Sequence, residues 1–247
     1  MNTSNPVLTD NVFTRNWSQN ETMTINGVAM KTAILLALCV MSSAWVWFQF
    51  VKSGMNPAAV QGWMIGGAVG GLVLALVTAF KKEWCAVTAP LYAVVEGFFI
   101  GDISSMFEAN YPGIVFQACT ATFGTLAAML FLYQSGIVKA TDRFKMIVMS
   151  ATGGIAILYL LSFVLSFFNI PVMSFIWGNG LFGILFSFFV VGVAALNFVL
   201  DFDFIEKGAM VGAPKYLEWY GAFALMVTIV WLYVEFLRLI SQLRSRN

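Results

Sequence analysis

Residues 146–200 read MIVMSATGGIAILYLLSFVLSFFNIPVMSFIWGNGLFGILFSFFVVGVAALNFVL, and none of these 55 positions carries a charged side chain. A helix needs about 20 mainly apolar residues to cross a hydrocarbon core of about 30 Å, so this stretch has room for two spans. Of the 247 residues in the chain, 60% are hydrophobic and only 10% are charged, whereas about a quarter are charged in a typical soluble domain. The sequence therefore predicts an integral membrane protein.

Seven segments are long and apolar enough to span a bilayer, with Gly, Pro and Asn breakers in several of the connections between them. We expect an all-α membrane protein, a seven-transmembrane-helix bundle over residues 28–241. A polar tail precedes it at 1–27, and a short basic tail follows at 242–247. The predicted spans are 29–50, 60–80, 86–107, 113–133, 146–168, 174–200 and 216–240.

Glycines at a spacing of four residues mark one face of the second predicted span. The motif GWMIGGAVGG contains Gly62, Gly66 and Gly70 on that face. Small residues at this spacing let helix backbones approach closely. The pattern favours tight packing inside the bundle, and a dimer interface is the alternative.

The composition excludes several classes of function. The chain has no histidine, its three cysteines fit no metal-ligand spacing, and its net charge of +1 gives no case for nucleic-acid binding. A Ser-His dyad is therefore excluded, and Asp201 and Asp203 do not match the two-helix pattern of an intramembrane aspartic protease. We expect neither an enzyme nor a bound cofactor.

Basic residues in the loops predict the orientation of the chain, because they concentrate on the cytoplasmic side. Nine lie on the side of the N-terminus and four on the other side, so we expect a cytoplasmic N-terminus. Seven spans then place the basic C-terminal tail outside, and one re-entrant segment is the alternative. On the side of the N-terminus are Arg15, Lys31, Lys81, Lys82, Lys139, Arg143, Lys145, Lys207 and Lys215. On the other side are Lys52, Arg238, Arg244 and Arg246.

Carboxylates near or inside the last two spans are the main candidate functional residues, because an ionised aspartate at a helix centre costs about 2.5–3.5 kcal/mol on insertion scales. Asp201 and Asp203 end the sixth predicted span and, in a helix, point about 200° apart. Glu235 lies deep in the seventh span, three residues before Arg238. For Asp201 and Asp203 the ordinary interpretation is a solvated helix end, and for Glu235 it is a local ion pair with Arg238. An ion path is the functional one, with calcium at Asp201, Asp203 or Glu235 as the metal hypothesis.

Two further acids, Glu96 and Asp102, lie in the third span, about 120° apart around the helix. Glu96 is near the middle of the membrane, where a carboxyl bonded to a neighbouring helix and a role in an ion path both stay open. Asp102 is in the outer half, where it could simply approach water.

Three stretches resemble the transmembrane Bax-inhibitor-motif (Bax inhibitor-1) family, in its bacterial YccA-like branch. They are APLYAVVEGFFIGDISSMFE at 89–108, LDFDFIEKGA at 200–209 and APKYLEWYGAFALMVTIVWLYVEFLRLIS at 213–241. The resemblance implies a seven-helix bundle of the cell inner membrane, with the last helix near its centre. It also implies a pH-sensitive calcium leak gated by paired carboxylates on helices six and seven.

The resemblance implies that Glu235, in the motif VEFLRL, corresponds to the acid that the family carries on helix seven. Asp201 or Asp203, ahead of IEK, matches the helix-six acid. The helix-seven acid is aspartate in better-known relatives, whereas the glutamate of this chain is one methylene longer.

The spacing of these acids argues against a direct contact. Counted from a turn near Val211, Asp203 lies eight residues before it and Glu235 lies 24 after it, which is about 12 Å against about 36 Å of depth. Glu235 is closer in depth to Glu96 and Asp102. The helix-six acid could instead pair with a basic residue at the cytoplasmic face, for which the candidates are Lys81, Lys82, Lys207 and Lys215.

Two functions stay open from the sequence. The first is a passive calcium path that protonation opens or shuts, since two carboxylates within a few ångströms titrate as a coupled unit. Its partners would be the lipid bilayer, calcium ions and protons. The second is a non-transporting membrane protein that modulates a membrane protease or another membrane partner, with the polar N-terminal tail as its handle.

Overall fold

The computed structural model describes residues 22–166, 168, 178 and 180–246. Within these residues, seven long helices account for most of the chain, with single 3₁₀ turns at Pro57–Ala59 and Lys82–Trp84. All seven are long and apolar enough to cross a membrane, which confirms the predicted fold class. They are α1 (Ile25–Lys52), α2 (Gln61–Phe80), α3 (Cys85–Asn110), α4 (Ile114–Gln134), α5 (Asp142–Ser166), α6 (Leu181–Met210) and α7 (Leu217–Arg244).

The last helix, α7, lies at the centre of the bundle, as predicted. It packs against α1, α3, α4 and α6. It buries residues around its whole circumference, including Met226 and Leu232, which have no exposed surface. The outer helices bury one face and expose large apolar side chains on the other, as expected of helices that face lipid. Examples of these side chains are Phe80, Phe116 and Phe188.

At each end of the bundle, a hydrogen bond joins segments that are far apart in the sequence. The N-terminal face holds the starts of α1, α3, α5 and α7. There the backbone N–H of Met23 donates a 2.7 Å hydrogen bond to the Ala213 carbonyl in the α6–α7 turn. At the opposite face, Arg244 Nη1 donates to the Pro112 carbonyl at 2.8 Å. The first residues before α1 therefore pack on the turn that leads into the central helix.

The sixth helix differs most from its predicted limits. The prediction ended it at Leu200, but α6 continues to Met210. Charged side chains there pair with neighbours and do not interrupt the helix, which ends at a turn where Gly212 has a φ of 64°. Asp201 and Asp203 therefore lie inside α6, and their predicted position at the helix end is wrong. Of the predicted start, residues 174–177 and 179 lie outside the described residues.

The terminal boundaries also shift by a few residues. Helix α1 begins at Ile25, where the side chain of Thr24 accepts a hydrogen bond from the backbone N–H of Gly27 and caps the helix. The predicted polar tail at 1–27 falls mostly on residues 1–21, which lie outside the described part of the chain. At the other end α7 reaches Arg244, so part of the predicted tail at 242–247 is helical.

The closely packed glycines of α2 match the predicted positions only in part. A Cβ at Gly62 or Gly66 would meet nothing within 4 Å, so the prediction of tight packing is wrong at these two positions. At Gly70 it is confirmed, because a Cβ there would lie 3.0 Å from Val95 Cγ1 of α3. A Cβ at Gly67 would lie 2.8 Å from the backbone nitrogen of Phe99 on α3, and one at Gly71 would lie 2.6 Å from a carboxylate oxygen of α3. The close approach of α2 to α3 therefore depends on Gly67, Gly70 and Gly71.

Candidate functional site: carboxylates inside the bundle

Asp201 faces the central helix. Its Oδ2 accepts a 2.7 Å hydrogen bond from the hydroxyl of Thr228 on α7. Asp201 lies nine residues before the end of α6 at Met210, which places it about 13 Å along the helix from the N-terminal face. One of the two candidate acids of helix six therefore bonds to helix seven through a neutral hydroxyl group.

Asp203 faces the other way, as its angular separation from Asp201 predicted. Its Oδ2 lies 2.5 Å from Lys145 Nζ of α5 and 2.9 Å from Lys207 Nζ of its own helix. Its side chain keeps 14% of its surface exposed. Lys207 was one of the four predicted partners, whereas Lys145 was not, and Lys82 instead lies over an aromatic ring of α7. The ion pair of Asp203 with Lys145 therefore connects α6 to α5 near the N-terminal face.

Glu235 is buried in a small polar network, with only 3% of its surface exposed. It forms an ion pair with Arg238, which confirms the predicted local pair. Its Oε1 also accepts hydrogen bonds from the Tyr159 hydroxyl of α5 at 2.9 Å and from Trp231 Nε1 at 3.3 Å. Arg238 Nη1 donates to the Tyr159 hydroxyl at 2.7 Å, which closes the network between α5 and α7.

The candidate acids of helices six and seven occupy different levels of the bundle. Thr228, the partner of Asp201, lies seven residues before Glu235, a distance of about 10 Å along α7. The direct carboxylate pair that the family resemblance implies is therefore not formed in this structure. Asp203 lies two residues nearer the N-terminal face than Asp201, so it is about 13 Å from the level of Glu235. The difference of about 24 Å counted from the sequence was too large, because residues 211–216 are not part of either helix.

Comparison with known protein families gives a match over nearly the whole chain. A family model described as Bax inhibitor 1 like matches residues 5–245 of this chain. The chain belongs to the Bax inhibitor 1-like family. Neither a curated protein nor a solved structure matches it.

The two acids on the third helix of this Bax inhibitor 1-like protein both lie against α2, and Asp102 bonds to it. Asp102 has no exposed surface, so the expectation that it approaches water is wrong. Its Oδ2 accepts a 2.9 Å hydrogen bond from the backbone N–H of Met64 in the first turn of α2, and it thereby caps that helix. Glu96 is half-buried against Gly71 of α2 and bonds with Tyr92, four residues earlier on its own helix.

Sequence reasoning missed a further buried acid of this family member, Glu218, in the first turn of α7. Glu218 is 1% exposed and forms an ion pair with Lys31 of α1. Its Oε1 accepts hydrogen bonds from the backbone N–H and the hydroxyl of Thr24, both at 2.9 Å. The sequence did contain a signal for this ion pair. Lys31 lies inside the predicted first span, where a charged side chain needs a partner, but the prediction treated it as a loop residue.

Metal binding by this Bax inhibitor 1-like chain must be judged from the carboxylates it brings together. Across the described residues, no three His, Cys, Asp or Glu side chains cluster to hold a metal ion. Asp203 and Glu235 already pair with cationic side chains, whereas the described partner of Asp201 is a neutral hydroxyl. Among these three acids, Asp201 is therefore the one that can bind a cation or a proton without breaking an ion pair that the structure describes.

Proposed function

We propose that this protein is a non-enzymatic, pH-sensitive calcium leak channel of a bacterial inner membrane, with its N-terminus in the cytoplasm. The observation that carries the proposal is the position of Asp201, a carboxylate inside a span that bonds to the central helix through the Thr228 hydroxyl. Membership of the Bax inhibitor 1-like family supports it, since the resemblance implies a calcium leak. The excess of basic residues on the N-terminal side supports the orientation.

The Asp201–Thr228 hydrogen bond provides a gate of suitable strength. A hydrogen bond to a charged group contributes about 1.5–3 kcal/mol, so a proton or a calcium ion arriving at the carboxylate can compete with it. Since the bond joins α6 to α7, its loss removes one of the contacts that hold these two helices together. Protonation of Asp201 and calcium binding to it exclude each other, which makes the leak depend on pH.

Arg238 forms a second barrier further along the path. Its guanidinium is buried and paired with Glu235, so it repels a divalent cation that approaches from the level of Asp201. A calcium ion can reach Glu235 only if it replaces Arg238 as the partner of that carboxylate. The two levels, about 10 Å apart along α7, keep the path shut at rest.

The test is calcium entry into proteoliposomes that contain a fluorescent calcium indicator, measured over a range of pH. We expect Asp201→Asn to abolish the pH dependence and Glu235→Gln to reduce the flux. Asp203→Asn is the matched control, because Asp203 faces α5 and its lysines. Flux that is no greater than in empty liposomes, or flux unchanged in both Asp201→Asn and Glu235→Gln, would refute the proposal.

The alternative, a modulator of a membrane protease or another membrane partner, remains a prediction. Its proposed handle is the polar tail at 1–27, of which residues 1–21 lie outside the described part of the chain. Deleting residues 1–21 leaves Thr24 and its contacts with Glu218 in place. Loss of a cellular phenotype with unchanged calcium flux would favour this alternative over the leak channel.

A further inference from the structure

An apolar cleft separates α1 from α4 in the half of the bundle next to the N-terminal face. Its walls are the stretches 25–36 of α1 and 126–134 of α4, and its floor includes Leu225 and Ile229 of the central helix. The cleft has a volume of about 540 Å³. Exposed side chains of its walls, including Ala33 of α1 and Leu130 of α4, border its opening towards the surrounding lipid.

The dimensions of the cleft match one acyl chain. Residues 25–36 of α1 extend over about 16 Å, and one leaflet contributes about 15 Å of hydrocarbon, half of a core of about 30 Å. The cleft is therefore about as long as the acyl chain of a lipid in the adjacent leaflet.

The end of the cleft at the N-terminal face is polar and continues into a second recess of about 500 Å³. Tyr133, Gln134 and Glu206 line both cavities, and Lys139 lines the recess. The Tyr133 hydroxyl donates to Glu206. The remaining acid there, Asp203, is already paired with two lysines. Beyond the end of the apolar cleft, the recess thus provides a cationic side chain, Lys139, and an anionic one, Glu206.

We propose that this cleft binds one zwitterionic phospholipid from the adjacent leaflet. One acyl chain lies between α1 and α4 along the floor formed by Leu225 and Ile229. The phosphate is bound by the ammonium group of Lys139, and the headgroup amine is bound by the carboxylate of Glu206. The distribution of charge carries this assignment, because opposite charges occur only at the end where a headgroup would lie. The proposal does not depend on calcium transport.

The test uses the full chain in nanodiscs that contain a phosphatidylethanolamine with a photoreactive group on its acyl chain. After irradiation, mass spectrometry of the cross-linked peptides locates the label. We expect it on residues 25–36 and 126–134. Ala33→Phe should lower this labelling at least about fivefold, since overpacking by a large side chain corresponds to that range. Ala29→Phe, on the same wall, is the second variant if Ala33→Phe does not fold.

Ala68→Phe on α2 is the matched control, because Ala68 is exposed and lies outside the cleft. Its labelling should equal that of the unmodified protein. Label spread evenly over all lipid-facing helices, or label on the cleft that neither Ala33→Phe nor Ala29→Phe reduces, overturns the proposal.

A second probe tests the headgroup. We expect a phosphatidylglycerol with the same photoreactive chain to label the cleft less than the phosphatidylethanolamine does, because it lacks the amine that Glu206 would bind. Lys139→Gln should lower labelling by the phosphatidylethanolamine probe, since it removes the cation that faces the phosphate. Equal labelling by both probes, or no effect of Lys139→Gln, overturns the assignment of the headgroup.

Discussion

Asp201 on α6 and Thr228 on α7, 27 positions apart in the sequence, are joined by a 2.7 Å hydrogen bond inside the bundle. The acid of helix seven, Glu235, is not part of this contact and pairs with Arg238 about two turns further along. The carboxylates of helices six and seven therefore belong to two separate contacts. Each contact can be removed without touching the other, which makes their roles separable by mutation.

Thr228→Val should destabilise the protein by about 1–3 kcal/mol, because it leaves the Asp201 carboxylate without its hydroxyl donor. Thr228→Ser retains the hydroxyl and should remain close to the unmodified protein. Reversible unfolding in mixed micelles, followed by tryptophan fluorescence, measures both. If the channel proposal holds, Thr228→Val also raises calcium flux. Equal stability of the Val and Ser variants would show that the bond contributes nothing.

Removing either member of the Glu235–Arg238 pair should cost about 3–5 kcal/mol, because each change leaves the other charge buried. The double variant Glu235→Gln/Arg238→Gln should lose less than the sum of the two single variants, and a double-mutant cycle measures that difference. In the flux assay the single variants should act in opposite directions. Arg238→Gln removes a cation from the path and raises flux, and Glu235→Gln lowers it. A change of the same sign in both would contradict the proposed barrier.

Gly67→Ala should destabilise the α2–α3 contact by about 1–3 kcal/mol, since the new methyl group would lie 2.8 Å from the backbone nitrogen of Phe99. Gly66→Ala is the matched control on the same helix, because a Cβ there meets nothing within 4 Å. It should be neutral, or stabilising by about 0.5–1 kcal/mol through helix propensity. Thermal unfolding of both variants in detergent checks this, and equal losses at the two positions would contradict it.

Lys31→Met should destabilise the N-terminal face, because it leaves the buried Glu218 carboxylate without its cation. We expect a loss of up to about 3 kcal/mol, with some screening because Lys31 keeps 17% of its side chain exposed. In the double variant Lys31→Met/Glu218→Gln the loss should be smaller than in Lys31→Met alone. Chemical denaturation of the three proteins measures this, and an equal or larger loss in the double variant would show that the pair is not the cause.

Parts of the carboxylate geometry could be predicted because they depend on positions within one helix. The ion pair of Glu235 with Arg238 follows from a separation of three residues. The opposite directions of Asp201 and Asp203 follow from the helical angle between them. Partners on other helices could not be predicted in this way. Lys145 was missed because the prediction treated it only as a loop charge, although it lies in the first turns of α5 and reaches Asp203.

The sequence by itself determined that this is a bundle of seven spans, because the length and apolarity of a span are local properties set by the thickness of the bilayer. Family membership likewise follows from the chain alone, over residues 5–245. Only the tertiary structure decided the partner of each acid across the bundle: Thr228 for Asp201, Lys145 for Asp203 and Tyr159 for Glu235. These partners lie 27, 58 and 76 positions away. Such contacts depend on how the packed helices are rotated and shifted against one another, which no local pattern specifies.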